Sequence, residues 1–252
     1  MNSSKGDSCM KGQFLKGSYE SFTEGNIYAD KSSLILEWLL LTGIEREQFS
    51  IREVARSRNV SIGLVQKVFK TLVMNGCIQA KGLRTAKKFI VKKPEILLEG
   101  WLDHYNIVKK CKIRTYQTGF QGKDQILHAL KNSNLHDKVA LALHSSAEAL
   151  GVKNTNLQTL ELYLLDPDVR SDIEKILELE PQERGYEVLL ITPYYKSMLN
   201  LQKEKDLSKD LLLSSPPLLT FLDLYHFPLR GREQAEFMAE RMAILKRIYK
   251  RN

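Results

Sequence analysis

Cysteine is scarce in this sequence of 252 residues, which contains only Cys9, Cys77 and Cys111. The number is odd and no pair has CxxC spacing, so the sequence favours neither a disulfide framework nor a zinc site. An HExxH motif, a phosphate-binding loop and a dinucleotide-binding fingerprint are also missing. We therefore expect a cytoplasmic protein from a reducing compartment, with no bound metal and no cofactor.

Long apolar runs are absent as well. The best one, LILEWLLL, is interrupted by Glu37 and is too short to span a membrane. The first residues, MNSSKGDSCMKGQFLKG, lack the apolar region of a signal peptide. The hydrophobic content of 43% is nevertheless enough for a sizeable core. These features predict a globular chain with no membrane association.

Acidic residues are nearly absent from one segment, between Ser50 and Lys93. This segment contains eleven lysines and arginines but a single acid, Glu53. The formal net charge of the whole chain is +8, so the positive excess lies in this segment and the remainder is close to neutral. Such a local excess indicates a polyanionic partner for the segment alone.

The same region has the pattern of a winged helix-turn-helix. A first helix is expected in SSLILEWLLLTG, with a serine cap and an end at Gly43. A capping box of Ser50 and Glu53 predicts a second helix, and Ser61 and Gly76 mark the start and the end of a third. The runs CIQAKG and KKFIVKK then predict a hairpin around the turn LRT. Three helices followed by a basic hairpin are typical of a winged helix.

The third predicted helix, within VSIGLVQKVFKTL, has one apolar face and one small, polar and basic face. In helix-turn-helix proteins the corresponding helix lies in the major groove of DNA. Gln66 is suited to adenine, and Lys67 or Lys70 to guanine or phosphate. Ser61 and Gly63 would let the helix N-terminus approach the DNA backbone. The residues expected to point inward are Ile62, Val65, Val68, Phe69 and Leu72.

We predict that double-stranded DNA binds to this region. Winged helices also serve as protein-binding modules, and that alternative stays open. The predicted DNA-binding residues of the helices are Ser50, Ser61, Gly63, Gln66, Lys67, Lys70 and Thr71. Those of the wing, expected beside a phosphate strand or the minor groove, are Lys81, Arg84, Thr85, Lys87 and Lys88.

The whole chain is predicted to be a mixed α/β (α+β) protein with four parts. These are an irregular lead-in at 1–31, the winged helix at 32–93, a connector helix at 94–110 and an α/β partner- or ligand-recognition domain at 111–252. Because the positive charge lies before Pro94, residues 1–110 are expected to bind DNA without the rest. The connector is expected to place on one face Ile96, Leu97, Trp101 and Tyr105.

In the last part of the chain, strand-like runs alternate with helical ones, which indicates a sheet domain covered by helices. The expected strands lie in KIRTYQTG, VALALHSS, LELYLLD and YEVLLITPYY. The expected helices lie in DQILHALKN and DVRSDIEKILELE, in a segment that begins PPLLT, and in a long terminal stretch from about Gly231.

Two groups of residues have some character of an enzyme. His144 lies beside Ser145 and Ser146, but neighbours in sequence do not make a triad, so a histidine at a strand end and serines that cap the next helix are favoured. Aspartates surround Pro167 without the glycine and glutamate of a calcium loop, which favours helix capping. They are Asp166, Asp168 and Asp172.

Two functional alternatives to a DNA-binding regulator without catalysis stay open. A nuclease targeted by the winged helix is one, because Glu161, Asp166 and Glu187 lie on or beside predicted strands. Its usual signature requires a lysine two residues beyond the acid, and this sequence lacks it. The other alternative is a repressor whose second domain binds a small molecule. We expect no enzyme.

Two stretches carry a family resemblance. The predicted winged helix followed by FIVKKPEILLEGWLDHY, together with the later TFLDLYHFPLRGREQAEFMAERM, resembles the AbiEi-like antitoxin and transcriptional-regulator family of type IV toxin–antitoxin systems. The first domain and the C-terminal helix match this family in character. The most specific piece is Leu222 to Leu224 followed by Pro228 to Glu236. The middle strands match only in their spacing.

The resemblance implies a bacterial DNA-binding protein whose winged helix represses its own operon. It also implies a C-terminal domain that opposes a nucleotidyltransferase-like toxin, often in phage abortive infection, with a homodimer left open. The DNA role then falls on Gln66, Lys67 and Lys70 of the helix and on Arg84, Lys87 and Lys88 of the wing. The resemblance assigns no chemical role to Arg230, Gly231, Glu233 and Gln234, which we expect to begin the last helix.

Overall fold

The computed structural model describes residues 26–83, 86–205 and 212–250. The predicted lead-in at 1–31 therefore falls mainly outside the described residues, and so does Cys9. The predicted wing residues Arg84 and Thr85 also lie outside them. The described cysteines, Cys77 and Cys111, are free thiols.

The first part of the fold contains three helices and a hairpin. Strands β1 and β2 pair antiparallel, from Ile78 with Val91 to Lys81 with Lys88. Phe49 adds an antiparallel bridge to Phe89 at the edge of this hairpin. The elements are α1 (Asp30–Leu41), α2 (Ile51–Ser57), α3 (Ile62–Met74), β1 (Ile78–Lys81) and β2 (Lys88–Val91).

Capping side chains set the ends of α2 and α3. The Ser50 hydroxyl accepts from the backbone N–H of Glu53 at 3.2 Å, and Ser61 accepts from Leu64 at the same distance. Gly76, just after α3, has a φ of 68°, which a residue without a side chain adopts most easily. These three predicted boundaries are confirmed.

The predicted serine cap of α1 is wrong. The helix begins at Asp30 with Ala29 as its N-cap, and Ser32 and Ser33 are buried inside it. The Ser33 hydroxyl donates to the carbonyl oxygen of Asp30 at 2.6 Å, so this buried hydroxyl has its hydrogen-bond partner within the helix. The helix ends at Leu41, and Gly43 begins the short 3-10 turn Gly43–Glu45.

The rest of the chain alternates helices and strands. Helices α4 and α5 are Pro94–His104 and Ile107–Lys110; the next elements are β3 (Lys112–Thr118), α6 (Lys123–Lys131), β4 (Val139–Leu141), α7 (Leu143–Ala149), β5 (Leu160–Leu164) and α8 (Arg170–Ile176). They are followed by β6 (Leu179–Pro181), β7 (Val188–Thr192), α9 (Lys196–Lys205), β8 (Leu213–Ser214), α10 (Pro217–Tyr225), α11 (Gly231–Arg241) and α12 (Ala243–Lys246).

In the described part of the chain, six strands form one mixed sheet in the order β6-β3-β7-β5-β4-β8. The pairs β5 with β7 and β4 with β8 are parallel, and the other pairs are antiparallel. Side chains alternate between the two faces, so that Leu162 and Leu190 join the core under α6 and α8 while Tyr163 and Ile191 face the larger core. The predicted mixed α/β class is confirmed.

Several predicted element bounds need correction. Strands β6 and β8 were not expected, and their three and two residues are too few for a periodic pattern to mark them. The histidine and serines of VALALHSS belong to α7 rather than to a strand. The expected long terminal helix is interrupted at Met242, where the backbone is extended. Ile96 is 41% exposed, although its expected neighbours on the apolar face of α4 are buried.

Helix α1 packs against α3 on one side and against α9 and α4 on another. All nine residues from Ser32 to Leu40 are buried, so the helix has no solvent-facing side along that length. One hydrophobic core therefore contains side chains from α1, α3, α4, the sheet and α10. A cut at residue 110 would expose the side of α1 that packs on α9, which the charge distribution alone did not indicate.

Polar contacts reinforce the same junction. The indole N–H of Trp101 donates to the Tyr195 hydroxyl at 2.7 Å, and that hydroxyl donates to the carbonyl oxygen of Tyr28 at 3.0 Å. The Asp30 carboxylate accepts from the backbone N–H and the hydroxyl of Ser197, at 2.8 and 2.7 Å. The start of α1 is thus tied to α4 and to the start of α9.

A buried carboxyl group on α10 connects this helix to the end of α4 and to β5. The Asp223 side chain, on α10, accepts one hydrogen bond from the Tyr105 hydroxyl and one from the Tyr163 hydroxyl, both at 2.7 Å. Burial raises the pKa of Asp223 from its ordinary 3.8 to about 7, and the two tyrosine donors act in the opposite direction. At neutral pH this carboxyl is therefore close to its titration midpoint.

Replacement of Trp101 by alanine should lower the free energy of unfolding by about 3 to 5 kcal/mol, because it leaves a large cavity in the shared core. Trp101→Phe keeps a ring and removes the N–H donor, so its loss should be smaller. Urea unfolding of the variant should give the same lower midpoint by fluorescence of Trp38, on α1, and by circular dichroism. An unchanged Trp38 transition would mean that the two halves unfold independently.

Replacement of Asp223 by asparagine should remove a pH dependence of stability. The folded pKa is raised, so the stability linked to this group is complete below about pH 4 and is lost as the pH rises through about 7. Relative to Asp223→Asn, the parent should therefore lose a few kcal/mol of unfolding free energy between about pH 4 and 8. Asp124→Asn, at an exposed position, should keep the parental slope; an equal slope in all three proteins would contradict the prediction.

Candidate nucleic-acid interface

An open groove of about 640 Å³ lies between α3, the start of α2 and the hairpin. Its rim is basic, with Arg52, Lys70 and Lys87, and no acidic residue is among the described residues that line it. The complete described lining is Ser50, Ile51, Arg52, Ile62, Gln66, Phe69, Lys70, Val73, Met74, Ala80, Lys87 and Phe89. The chemistry of this rim is suited to a polyanion.

The exposed ridge of α3 that borders the groove follows helical spacing. Ile62, Gln66, Lys70 and Met74 are four residues apart and therefore lie on one side of the helix. The neighbouring stripe, with Val65, Val68, Phe69 and Leu72, is buried against α1 and the hairpin, and Phe69 also lines the groove. Burial of that stripe determines which way the ridge points.

The structure brings only some of the predicted DNA-binding residues to the groove. Ser50, Gln66, Lys70 and Lys87 line it. Five others do not line the groove but are exposed on α3 or on the hairpin; they are Ser61, Gly63, Lys67, Lys81 and Lys88. Thr71 is buried instead. Gly63 has no atom within 4 Å of an added Cβ, so its surroundings are open.

Two residues of α3 face the opposite way from our expectation. Thr71 is buried, with 7% exposure, and its hydroxyl is within 3.4 Å of the carbonyl oxygen of Lys67. The prediction that Thr71 lies on the outer face of α3 is therefore wrong. Ile62, expected in the core, is 46% exposed. It is the first residue of the helix, where a side chain points back beyond the helix start and has no preceding turn to pack on.

Arg58 does not contribute its charge to this surface. It is 8% exposed, lies 3.4 Å from the Glu37 carboxylate and donates to the carbonyl oxygen of Leu34 at 3.2 Å. A buried charge needs such a partner, because transfer out of water is costly. The basic excess counted between Ser50 and Lys93 is therefore only partly a surface property.

Sequence reasoning missed part of the groove. Arg52 was counted among the basic residues but was not predicted to touch a ligand, although its place in the first turn of α2 was a signal for it. Val73, Met74 and Ala80 gave no signal, because only the contact between α3 and the hairpin brings them together. The mixed apolar and basic character of the groove is thus a tertiary property.

The histidine and serines of α7 do not form a catalytic arrangement. The Ser145 hydroxyl donates to the Glu161 carboxylate at 2.5 Å, and Ser146 bonds to the hydroxyls of Ser214 and Thr220. Burial lowers the pKa of His144 to about 4. The expected capping by the serines is wrong: Ala142 is the N-cap and has no side-chain acceptor.

Glu161 takes a structural role at the start of α7. Its carboxylate accepts the backbone N–H of Ser145 at 2.9 Å and the Thr159 hydroxyl at 2.5 Å, and it is fully buried. The positive end of the helix dipole favours a carboxylate there. Burial nevertheless raises the pKa of Glu161, against the effect of these donors.

The other acidic candidates are dispersed. Asp166 caps the 3-10 turn Pro167–Val169 by accepting the N–H of Asp168 at 3.1 Å, as expected for a helix cap. Glu187 accepts the backbone N–H of Thr118 at 2.8 Å. Within the described ranges, no three His, Cys, Asp or Glu side chains come together as a metal-holding group. In those same ranges, no helix has the length and apolar character needed to cross a membrane.

Two residues of the segment from Arg230 to Gln234, Gly231 and Gln234, have a packing role. Gly231 begins α11 as expected, and an added Cβ would lie 2.4 Å from the carbonyl oxygen of Leu224. Gln234 is fully buried; it accepts the N–H of Asn154 at 2.7 Å and donates to the carbonyl oxygen of Val152 at 2.6 Å. The most specific piece of the family resemblance therefore packs the start of α11 against α10 and the segment that follows α7.

Comparison with family models gives a match over residues 90–244, to a family described as "Transcriptional regulator, AbiEi antitoxin, Type IV TA system". The match begins in β2 and covers more than half of the chain, from there through α4, the six-stranded sheet and α11. Comparison with curated proteins and with solved structures gives no significant match.

The family match places this chain, which has a mixed α/β structure, in the class of transcriptional regulators. More particularly, the chain belongs to the AbiEi antitoxin family of type IV toxin–antitoxin systems. All the described residues that line the groove come before the matched residues. Its function therefore has to be argued from its own side chains.

Replacement of Lys87 by alanine should weaken binding to every DNA duplex, because the groove would lose one of its cations. With roughly 4 to 6 phosphate contacts, log K against log salt should have a slope of about −4 to −5 for the parent and about one unit less for Lys87→Ala. Lys131→Ala, an exposed lysine of α6, removes the same charge elsewhere and should leave the slope unchanged. Equal effects of the two variants would contradict local contact.

Proposed function

We propose that this chain is a sequence-specific DNA-binding transcriptional regulator that represses its own operon and acts as the antitoxin of a type IV system. Residues 32–93 act as a winged helix-turn-helix in this proposal. The observation that carries it is the groove, whose described lining contains the basic residues Arg52, Lys70 and Lys87, the exposed ridge of α3 and no acidic residue. Family membership supports the regulatory role independently, since it rests on residues 90–244.

In this proposal α3 enters the major groove and presents Gln66 to the base edges. Gln66 is exposed at the centre of the ridge, and a glutamine amide can both donate to and accept from adenine. The cap residues Ser50 and Ser61 hold the starts of α2 and α3 beside the groove. Their N-termini carry partial positive charge, which favours nearby phosphates.

The hairpin acts as the wing. Lys87 lines the groove and Lys88 and Lys81 are exposed as paired residues at its outer end. Their charges would lie along the phosphate strand next to the groove that α3 occupies. A homodimer would present two copies of this arrangement to a palindromic operator.

Residues 94–110 and 111–252 form the connector and the partner-facing part in this proposal. We infer that the α/β part opposes a nucleotidyltransferase-like toxin, because the family match falls on this part. The experiment for this half is rescue of cells from the toxin encoded beside the gene, with the full chain. Toxicity that the full chain leaves unchanged would remove the antitoxin role while leaving DNA binding intact.

Replacement of Gln66 by alanine should relax sequence preference, at a cost of about 1 to 3 kcal/mol on the preferred site and little on random DNA. The measurement is a competition titration of specific and random duplexes after footprinting upstream of the gene. Gln121→Ala, at an exposed glutamine of the α/β part, is the matched control and should behave as the parent. If Gln66→Ala discriminates as well as the parent, α3 is not the reading helix.

A further inference from the structure

Ile62, the first residue of the α3 ridge, is a large apolar residue with an exposed side chain. It is 46% exposed and lies in the groove one helical turn before Gln66. A large apolar side chain at such a place has a role when its partner is itself apolar. The partner must also tolerate the basic rim of the same groove.

We propose that Ile62 and Gln66 read DNA as a pair, with Gln66 bound to an adenine and Ile62 packed on the 5-methyl group of a nearby thymine. This inference rests on the proposed DNA-binding function and assigns it a base preference. Residues four apart on a helix are separated by about 6 Å along its axis, and base pairs by about 3.4 Å. The thymine is therefore expected about one or two base pairs from the adenine.

Thymine is the occupant that the charges and shapes of the groove favour. Its methyl group is the apolar feature that the major groove presents to a side chain. The phosphates that flank any such thymine match Arg52 of α2 and Lys70 of α3, which line the same groove as Ile62 and Gln66. An apolar protein surface would offer no anionic group to the basic side chains that line the groove.

The direct test replaces each thymine of the footprinted site, one at a time, by deoxyuridine, which lacks only the methyl group. For the parent, one position within about two base pairs of the Gln66-dependent adenine should lose about fourfold in affinity, the usual effect of one buried methyl. Ile62→Ala should bind the thymine and deoxyuridine duplexes equally. Gln66→Ala should retain the thymine discrimination while losing the adenine preference.

The matched control is Ile96→Ala, which truncates an isoleucine of similar exposure, 41%, on α4 outside the groove. It should keep the parental discrimination between thymine and deoxyuridine. Because both isoleucines are exposed, thermal unfolding should show that both variants remain folded.

Three outcomes overturn the pair as readers of thymine and adenine. The first is that no thymine position discriminates in the parent, and the second is that Ile62→Ala discriminates as the parent does. The third is that Ile62→Ala changes only the oligomeric state in sedimentation, which would make the ridge a protein contact. Failure of the proposed function is distinguishable: the parent and every variant would then bind the footprinted and random duplexes equally, or would bind neither.

Discussion

Burial of α1 from more than one side is the constraint on which the rest of the structure depends. Its residues from Ser32 to Leu40 all lie in the core, and the helix contacts α3, α4 and α9. The Asp30 carboxylate and the Tyr195 hydroxyl tie its start to the α/β part. Because α1 supports α3 and is itself supported by α9, the orientation of the candidate reading helix depends on residues more than a hundred positions later.

The two lines of functional evidence come from different halves of this continuous core. The family match falls on β2, α4, the sheet and α11, and its most specific residues are explained by packing around Gly231 and Gln234. The basic groove lies before that match and depends on surface chemistry. Helix α1 gives the two halves a direct physical contact.

The candidate site was predictable where it depended on near neighbours in the chain. The caps of Ser50 and Ser61 act over three residues, and the hairpin follows from two short runs around one turn. The same reasoning misplaced Ile62 and Thr71. Helical spacing tells on which face of the helix a residue lies, but not how much of that face other elements bury. Arg58 was misjudged for a related reason: its partner, Glu37, belongs to another helix.

The sequence by itself determined the mixed α/β class, the basic segment, the ends of α2 and α3 and the family of the chain. These depend on composition, on contacts within about one turn and on short motifs. Only the tertiary structure decided that α1 joins both parts in one core, that β6 and β8 complete the sheet, and that Ile62 joins Gln66 in the groove. Each of these depends on surfaces that distant segments bury together, and burial is a property of the packed molecule.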